Sequence, residues 1–160
     1  MRILAQRVKH ASVSVGGTVV ASIGVGLMAL VAFGAGDGPL FRESRAFSGM
    51  ARKLTELRIF PGEGELTHKF QTSLKEYGGS LLLVPQFTLY ADCRKGRRPS
   101  FTAAGDPAWA ADMFSDFARL VDEQCEVSVS SGIFGADMDV VLCNWGPVTV
   151  WLDSAELFPR

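Results

Sequence analysis

Residues 84–101, VPQFTLYADCRKGRRPSF, concentrate the polar chemistry of the chain. Read as a regular strand, a period of two puts Gln86, Thr88 and Tyr90 on one face and Phe87 and Leu89 on the other. A polar face beside an apolar one is what a cleft wall needs. Arg94, Lys95, Arg97 and Arg98 then fall within five positions around Gly96, a local charge of +4. Two readings stand open for them: a solvated loop, or a patch that neutralises nucleic-acid phosphates. Thr88 is equally open. Its hydroxyl is a weak nucleophile without an adjacent base, and neither histidine is its neighbour in sequence, so a hydrogen-bonding wall residue is the alternative.

The second stretch is CNWGPVTVWLD, Cys143 to Asp153, where Gly146-Pro147 interrupts two short β segments. Proline has no N–H to give a ladder and glycine admits close approach to the backbone, so the pair marks an exposed bend. An X-Pro bond also tolerates the cis form, which aims two neighbouring carbonyls the same way. Beyond a plain turn, such a bend can act as a rigid main-chain probe that touches a substrate without any side chain.

Other chemistries thin out quickly. His10 and His68 are the only histidines, and neither has a second ligand at metal spacing, so no metal site is expected. A nucleophilic dyad on Cys143 requires a distant histidine brought close, and a cysteine at the end of an apolar strand reads first as a buried one. There is no G-x-S-x-G elbow, Walker loop or G-x-G-x-x-G fingerprint, and no cofactor is implied.

These groups need a framework, and the chain is long enough to supply one. Its 160 residues are 48% hydrophobic, the size of one domain spanning 1–160. Sixteen Lys and Arg stand against 17 Asp and Glu, a net charge of −1, so any attraction to nucleic acid has to be local. Cys93, Cys125 and Cys143 are odd in number and widely spaced, which suits a reducing compartment and makes the cytoplasm the expectation. The apolar run from Ile23 to Phe33 has 11 residues, too few to cross a membrane, and reads as a buried strand.

Alternation around Gly16-Gly17 predicts a hairpin. Phe47, Met50, Ala51, Leu54 and Leu57 recur at helical spacing. GGSLLLVPQFTLYAD begins as a buried strand. Asp106 and Pro107 read as the N-cap and first position of a second helix, carrying Trp109, Met113, Phe114, Phe117, Leu120 and Val121 and ending near Asp122. Three segments follow, around 125–130, 137–143 and 148–152. The order predicts an α+β fold: a largely antiparallel sheet or barrel with two main helices.

At these residues the sequence resembles the D-aminoacyl-tRNA deacylases, whose hallmark stretches read Ser-Gln-x-Thr-Leu and Asn-x-Gly-Pro-x-Thr. Here they stand as PQFTL (85–89) and NWGPVT (144–149). MRILAQRV, ASVSVGG, LRIF, QFTLYADCRKGRRPSF and GIFGADM are similar to further family blocks in the same order, so the resemblance spans essentially the whole chain. It implies a homodimer in which Gly146 and Pro147 of one subunit, joined by a cis bond, enter the active site of the other. Their carbonyls would leave room for hydrogen or a D side chain and exclude an L side chain.

The resemblance also assigns roles. Arg7 would hold the Gly-Pro element; Phe134, with Gly135, Ala136 and Met138 in the same block, would receive the terminal adenosine, Phe134 by stacking. Gln86, Phe87 and Thr88 would form the pocket wall, with N–H groups near Phe87 facing the oxyanion. Asn144 and Thr149 complete the second motif, and Trp145 fills its variable position. The attacking species is either Thr88 or a water helped by the ribose 2′-OH; the second is favoured, because the 2′-OH lies next to the ester by construction.

Pro85 replaces the serine of the first motif, removing a hydroxyl and an N–H. A related animal group reads Pro-Gln-Ala-Thr-Leu there and acts on L-alanyl mischarged tRNA. Phe87, the second motif and Arg7 keep this chain with the D-specific group. The expectation is a homodimeric hydrolase of D-aminoacyl-tRNA, and of glycyl-tRNA as a side activity, with no membrane partner. The alternatives are L-alanyl-tRNA proofreading and a non-catalytic RNA-binding module.

Overall fold

The computed structural model describes residues 1–64 and 69–159; His68 lies outside the described residues. The fold is α+β. Its spine is β1, Arg2–Val15, followed by β2, Thr18–Ile23, and β3, Gly26–Ala32. Gly16 and Gly17 turn β1 into β2 at φ of 56° and 80°, conformations that cost glycine little. On one edge β1 pairs with β3 through its first half and with β2 through its second; β6, Asp139–Asp153, runs antiparallel along it from Arg2↔Asp153 to Ser14↔Asp139. β4, Ser80–Pro85, lies parallel to β3, and β5, Val129–Ser131, parallel to β4.

The sheet is therefore mixed: among the described residues three ladders are antiparallel and two parallel. Parallel neighbours need crossovers. Helices α1, Arg45–Glu56, and α2, Leu74–Tyr77, lie between β3 and β4; α3, Pro107–Cys125, lies between β4 and β5. The last helix, α4, is Ser154–Leu157. Phe47, Met50 and Leu54 of α1 and Met113, Phe117 and Val121 of α3 are buried in the main core with Ile3, Ala5, Leu81 and Leu83. Phe47 meets Phe117 edge-on at 5.5 Å.

Four sequence expectations need correction. The strand before Gln86 stops at Pro85, and Phe87–Tyr90 form a 3₁₀ turn in which Leu89 N–H reaches the Gln86 carbonyl, so the alternation expected for 86–90 does not exist. The ladder ends because β3 itself ends at Ala32. Helix α3 begins as expected, with Asp106 accepting from Ala108 N–H at 2.8 Å, but runs to Cys125 and stops at Glu126, which is left-handed at φ 51°. Cys125 thus closes a helix with a buried thiol instead of opening a strand. Helix α2, set by a Ser73/Glu76 capping box, was not anticipated; four residues are too few to show a period.

The fourth correction concerns β6. NWGP does not separate two strands, because β6 pairs with β1 on both sides of it. Gln6 faces Thr149 and Val8 faces Asn144, so Trp145 to Val148 bulge out opposite Arg7 alone. Register irregularities on either side of Val8 also switch the buried face of β1. Ile3 and Ala5 enter the main core, while Val8, Ala11 and Val13 enter a smaller one with Met28, Leu82 and Val84. No helix among the described residues is long and apolar enough to cross a membrane.

Candidate active site

The bulge is stapled at its base. Asn144 Oδ1 accepts from Val148 N–H at 2.8 Å, and Asn144 Nδ2 donates to Thr149 Oγ1 at 3.1 Å. Gln6 adds a second donor to the same hydroxyl at 3.2 Å. Between these anchors Gly146 and Pro147 are exposed, joined by a cis bond. Gly146 has a φ of 135°, and a Cβ there would lie 2.9 Å from Arg7 Nη2 and 2.7 Å from Val148 Cγ2, so the position admits little but glycine.

Beneath the bend lies Arg7, 1% exposed. Its Nε donates to the Trp145 carbonyl at 2.9 Å and its Nη1 to the Ile59 carbonyl. Burial pushes the guanidinium pKa down, while the Tyr77 phenol opposes that shift. An arginine starts so high that it stays charged.

Pro85, Gln86 and Phe87 line a cavity of about 700 Å³ together with Phe134 and Gly135. Parallel pairing of β4 with β5 brings the two blocks together, and Gly132 N–H bonds the Leu83 carbonyl at 2.9 Å just before the second block. Residues missed at the sequence level complete the wall: Phe101, Thr102, Trp109 and Phe114. In the sequence Trp109 and Phe114 show only as part of the apolar stripe of α3. Phe87 is half exposed and meets Phe101 edge-on at 5.1 Å, so two rings stand at the cavity. Thr88 is exposed and its Oγ1 accepts from Gln86 Nε2 at 2.6 Å. An amide is no base, so among the described residues that hydroxyl has no activating partner.

Ala136 and Met138 do not line this cavity. Ala136 closes the turn after Gly135 by bonding the Ile133 carbonyl at 3.3 Å, and Met138 packs over Gly132 against the smaller core. Gly146 and Pro147 do not line it either.

The basic loop is a tongue closed by a bridge between Asp92 and Ser100. Arg94 is not a free charge: its Nε and Nη2 bind Asp92 at 2.8 and 2.7 Å and hold that carboxyl down at about 2. Lys95, Arg97 and Arg98 are exposed and make no ion pair among the described residues. The register also sets His10 opposite Cys143, the pairing the sequence left distant, but no side-chain hydrogen bond joins the two. No group of three metal-ligating side chains occurs among the described residues.

A larger cavity of about 1010 Å³ lies by Arg2, Asp37, Tyr90 and Asp153. Four of its charges are paired, Met1 N with Asp37 at 2.7 Å and Arg2 with Asp153 at 3.0 Å, while Arg45, which also lines it, is exposed and makes no ion pair among the described residues. Burial pushes the Tyr90 phenol pKa up, so that hydroxyl stays neutral. The smaller cavity, where the two sequence blocks converge, is the better candidate.

A mixed α+β sheet carrying a Gly-Pro bulge over a buried arginine, with an aromatic cavity behind the 3₁₀ turn, is matched by a known family. The model of the D-Tyr-tRNA(Tyr) deacylase family matches residues 4–153, and the chain belongs to that family. It is 72% identical to the D-aminoacyl-tRNA deacylase of Desulfovibrio desulfuricans over 99% of both chains, and 52% identical to that of Solidesulfovibrio magneticus over 98% of both. Among solved structures it is similar to a c-Myc DNA Unwinding Element Binding Protein, with a TM-score of 0.84 at 32% identity, covering 96% of this chain and 98% of that one.

Proposed function

We propose that this protein hydrolyses the ester between a D-amino acid, or glycine, and the 3′ end of tRNA, acting as a homodimer whose subunits complete each other's sites. One observation carries the cross-subunit part. The exposed bend does not line the aromatic cavity of its own chain, so a chiral filter built from Gly146 and Pro147 needs a second copy to meet a pocket built from Gln86, Phe87 and Phe134.

In that assembly Phe134 stacks the terminal adenine and the scissile ester lies beside the 3₁₀ turn. The first N–H groups of such a turn have no acceptor within it, which suits those of Phe87 and Thr88 to the oxyanion of the tetrahedral intermediate. Water attacks the ester carbonyl and loses its proton as the 3′ oxygen gains one, giving the free amino acid and the 3′-hydroxyl of tRNA. The ribose 2′-OH supplies the neighbouring proton relay, since among the described residues Thr88 has an amide and not a base at hydrogen-bond distance. Main-chain carbonyls at the bend exclude an L side chain, and a site that rejects only this group has no means of rejecting glycine.

Lys95, Arg97 and Arg98 support a contact with the tRNA backbone. The same three residues, with the likeness to a DNA unwinding element binding protein, favour a second reading as a non-catalytic nucleic-acid module. The test is hydrolysis of D-tyrosyl-tRNA against L-tyrosyl-tRNA with a metal chelator present. Cleavage of the D form alone supports the deacylase. Cleavage of L-alanyl-tRNA alone would make Pro85 the specificity signal, and inertness toward D-aminoacyl-tRNA and glycyl-tRNA alike would leave the binding module.

A further inference from the structure

Gly146 and Pro147 are exposed and lack side-chain anchors of their own, so their reach depends on the peptide that precedes them, that of Trp145. This residue is held at its carbonyl and at its ring. Arg7 bonds its carbonyl at 2.9 Å and lies over its ring, 4.5 Å from the centroid. The ring also meets Phe60 at 6.4 Å and Tyr77 at 6.0 Å, and those two rings stack on each other at 4.9 Å. Phe60 is fully buried and its N–H and carbonyl both pair with Thr72, next to the Ser73 cap that starts α2 and so places Tyr77.

We propose that Trp145 is a positioning residue for the chiral filter, braced by Phe60 and Tyr77, so that α2 helps set how far Gly146–Pro147 projects. This deepens the deacylase reading and rests on it. A ring that only filled space would contribute to stability and leave chiral discrimination alone. A brace acts on geometry, and displacement of a positioning element by about 1 Å can cost up to about 100-fold in rate.

The test compares Trp145→Ala, Trp145→Phe and Tyr77→Ala with the unsubstituted protein, reading kcat and KM for D- and L-tyrosyl-tRNA. Trp145→Ala is expected to lower the D/L ratio of kcat/KM by about tenfold or more, carried by kcat. Trp145→Phe keeps a ring under the guanidinium and should recover the ratio to within about threefold. Tyr77→Ala, at a partly exposed site, should shift the ratio in the same direction by less.

An unchanged ratio in folded Trp145→Ala, or in Tyr77→Ala should the first not fold, overturns the proposal. If the unsubstituted protein cleaves neither D-tyrosyl- nor glycyl-tRNA, the deacylase reading falls, and the brace is read instead from hydrogen exchange of the Arg7 Nε–H in ¹⁵N-labelled protein. Faster exchange in Tyr77→Ala supports the brace; unchanged exchange overturns it.

Discussion

Asn144 and Thr149 are joined by a 3.1 Å hydrogen bond across the base of the bulge that carries Gly146 and Pro147. With Asn144 also accepting from Val148 N–H, one side chain ties both ends of the bend to the ladder. Asn144→Ala removes both bonds and leaves the Val148 N–H unpaired in a partly buried site. It should lower stability by about 1–3 kcal/mol, measured by urea unfolding, and reduce chiral selectivity. Thr149→Val keeps the Val148 bond and should cost less on both counts.

Pro147→Ala should lower the D/L ratio of kcat/KM by about tenfold or more, equivalent to about 1.4 kcal/mol, while tRNA affinity measured by filter binding is retained. Gly146→Ala should be worse, since its Cβ meets Val148 and Arg7 at a φ that side chains rarely adopt. Loss of tRNA binding in Pro147→Ala, with the D/L ratio intact, would remove the filter role.

Replacing Arg97 and Arg98 by alanine should weaken tRNA binding and reduce the slope of log K against log salt by about 0.7–0.9 per residue. Arg94→Ala should have a smaller effect, because Asp92 already neutralises that charge. If the double variant binds normally at physiological salt, the tongue is a solvated loop.

Thr88→Val should retain activity to within about tenfold in a single-turnover assay, since losing a nucleophile costs several orders of magnitude. A loss of about 10⁴-fold or more would restore Thr88 as the attacking group.

The Asp92 carboxyl titrates near 2 because Arg94 binds its charged form. A depressed carboxylate favours the closed tongue above its unfolded pKa of about 3.9 and loses that contribution as pH falls through about 2. The ¹³C shift of the Asp92 carboxyl should therefore have its midpoint near 2, and in Arg94→Ala it should rise toward about 3.9. A midpoint that does not move would show that the ion pair is absent in solution.

The α1 stripe, the Asp106-Pro107 start of α3 and the Gly16-Gly17 hairpin were legible because each rests on local periodicity, capping or turn chemistry. Strand direction was not: LLLV at 81–84 is a continuous apolar run that fits a parallel or an antiparallel neighbour equally well. The 3₁₀ turn after Pro85 was hidden because strand alternation and a tight turn are both compatible with QFTLY. Within the site, only the family resemblance joined Phe134 to Gln86 and Phe87; the two lie 47 residues apart in sequence and meet through a parallel ladder no local pattern announces. The bulge opposite Arg7 was equally illegible. It is a property of register between the first and last strands, and the NWGP letters alone allow two strands as readily as one.

Because the bend lies outside its own chain's cavity, damage to either would, in the proposed assembly, fall on different half-sites. A subunit carrying Pro147→Ala still offers a sound cavity, and one with a blocked cavity still offers a sound bend. Mixed in one dimer, they rebuild one complete site out of two. Two alleles that each fail alone would then rescue one another when expressed together, to about half the normal activity of that dimer at most.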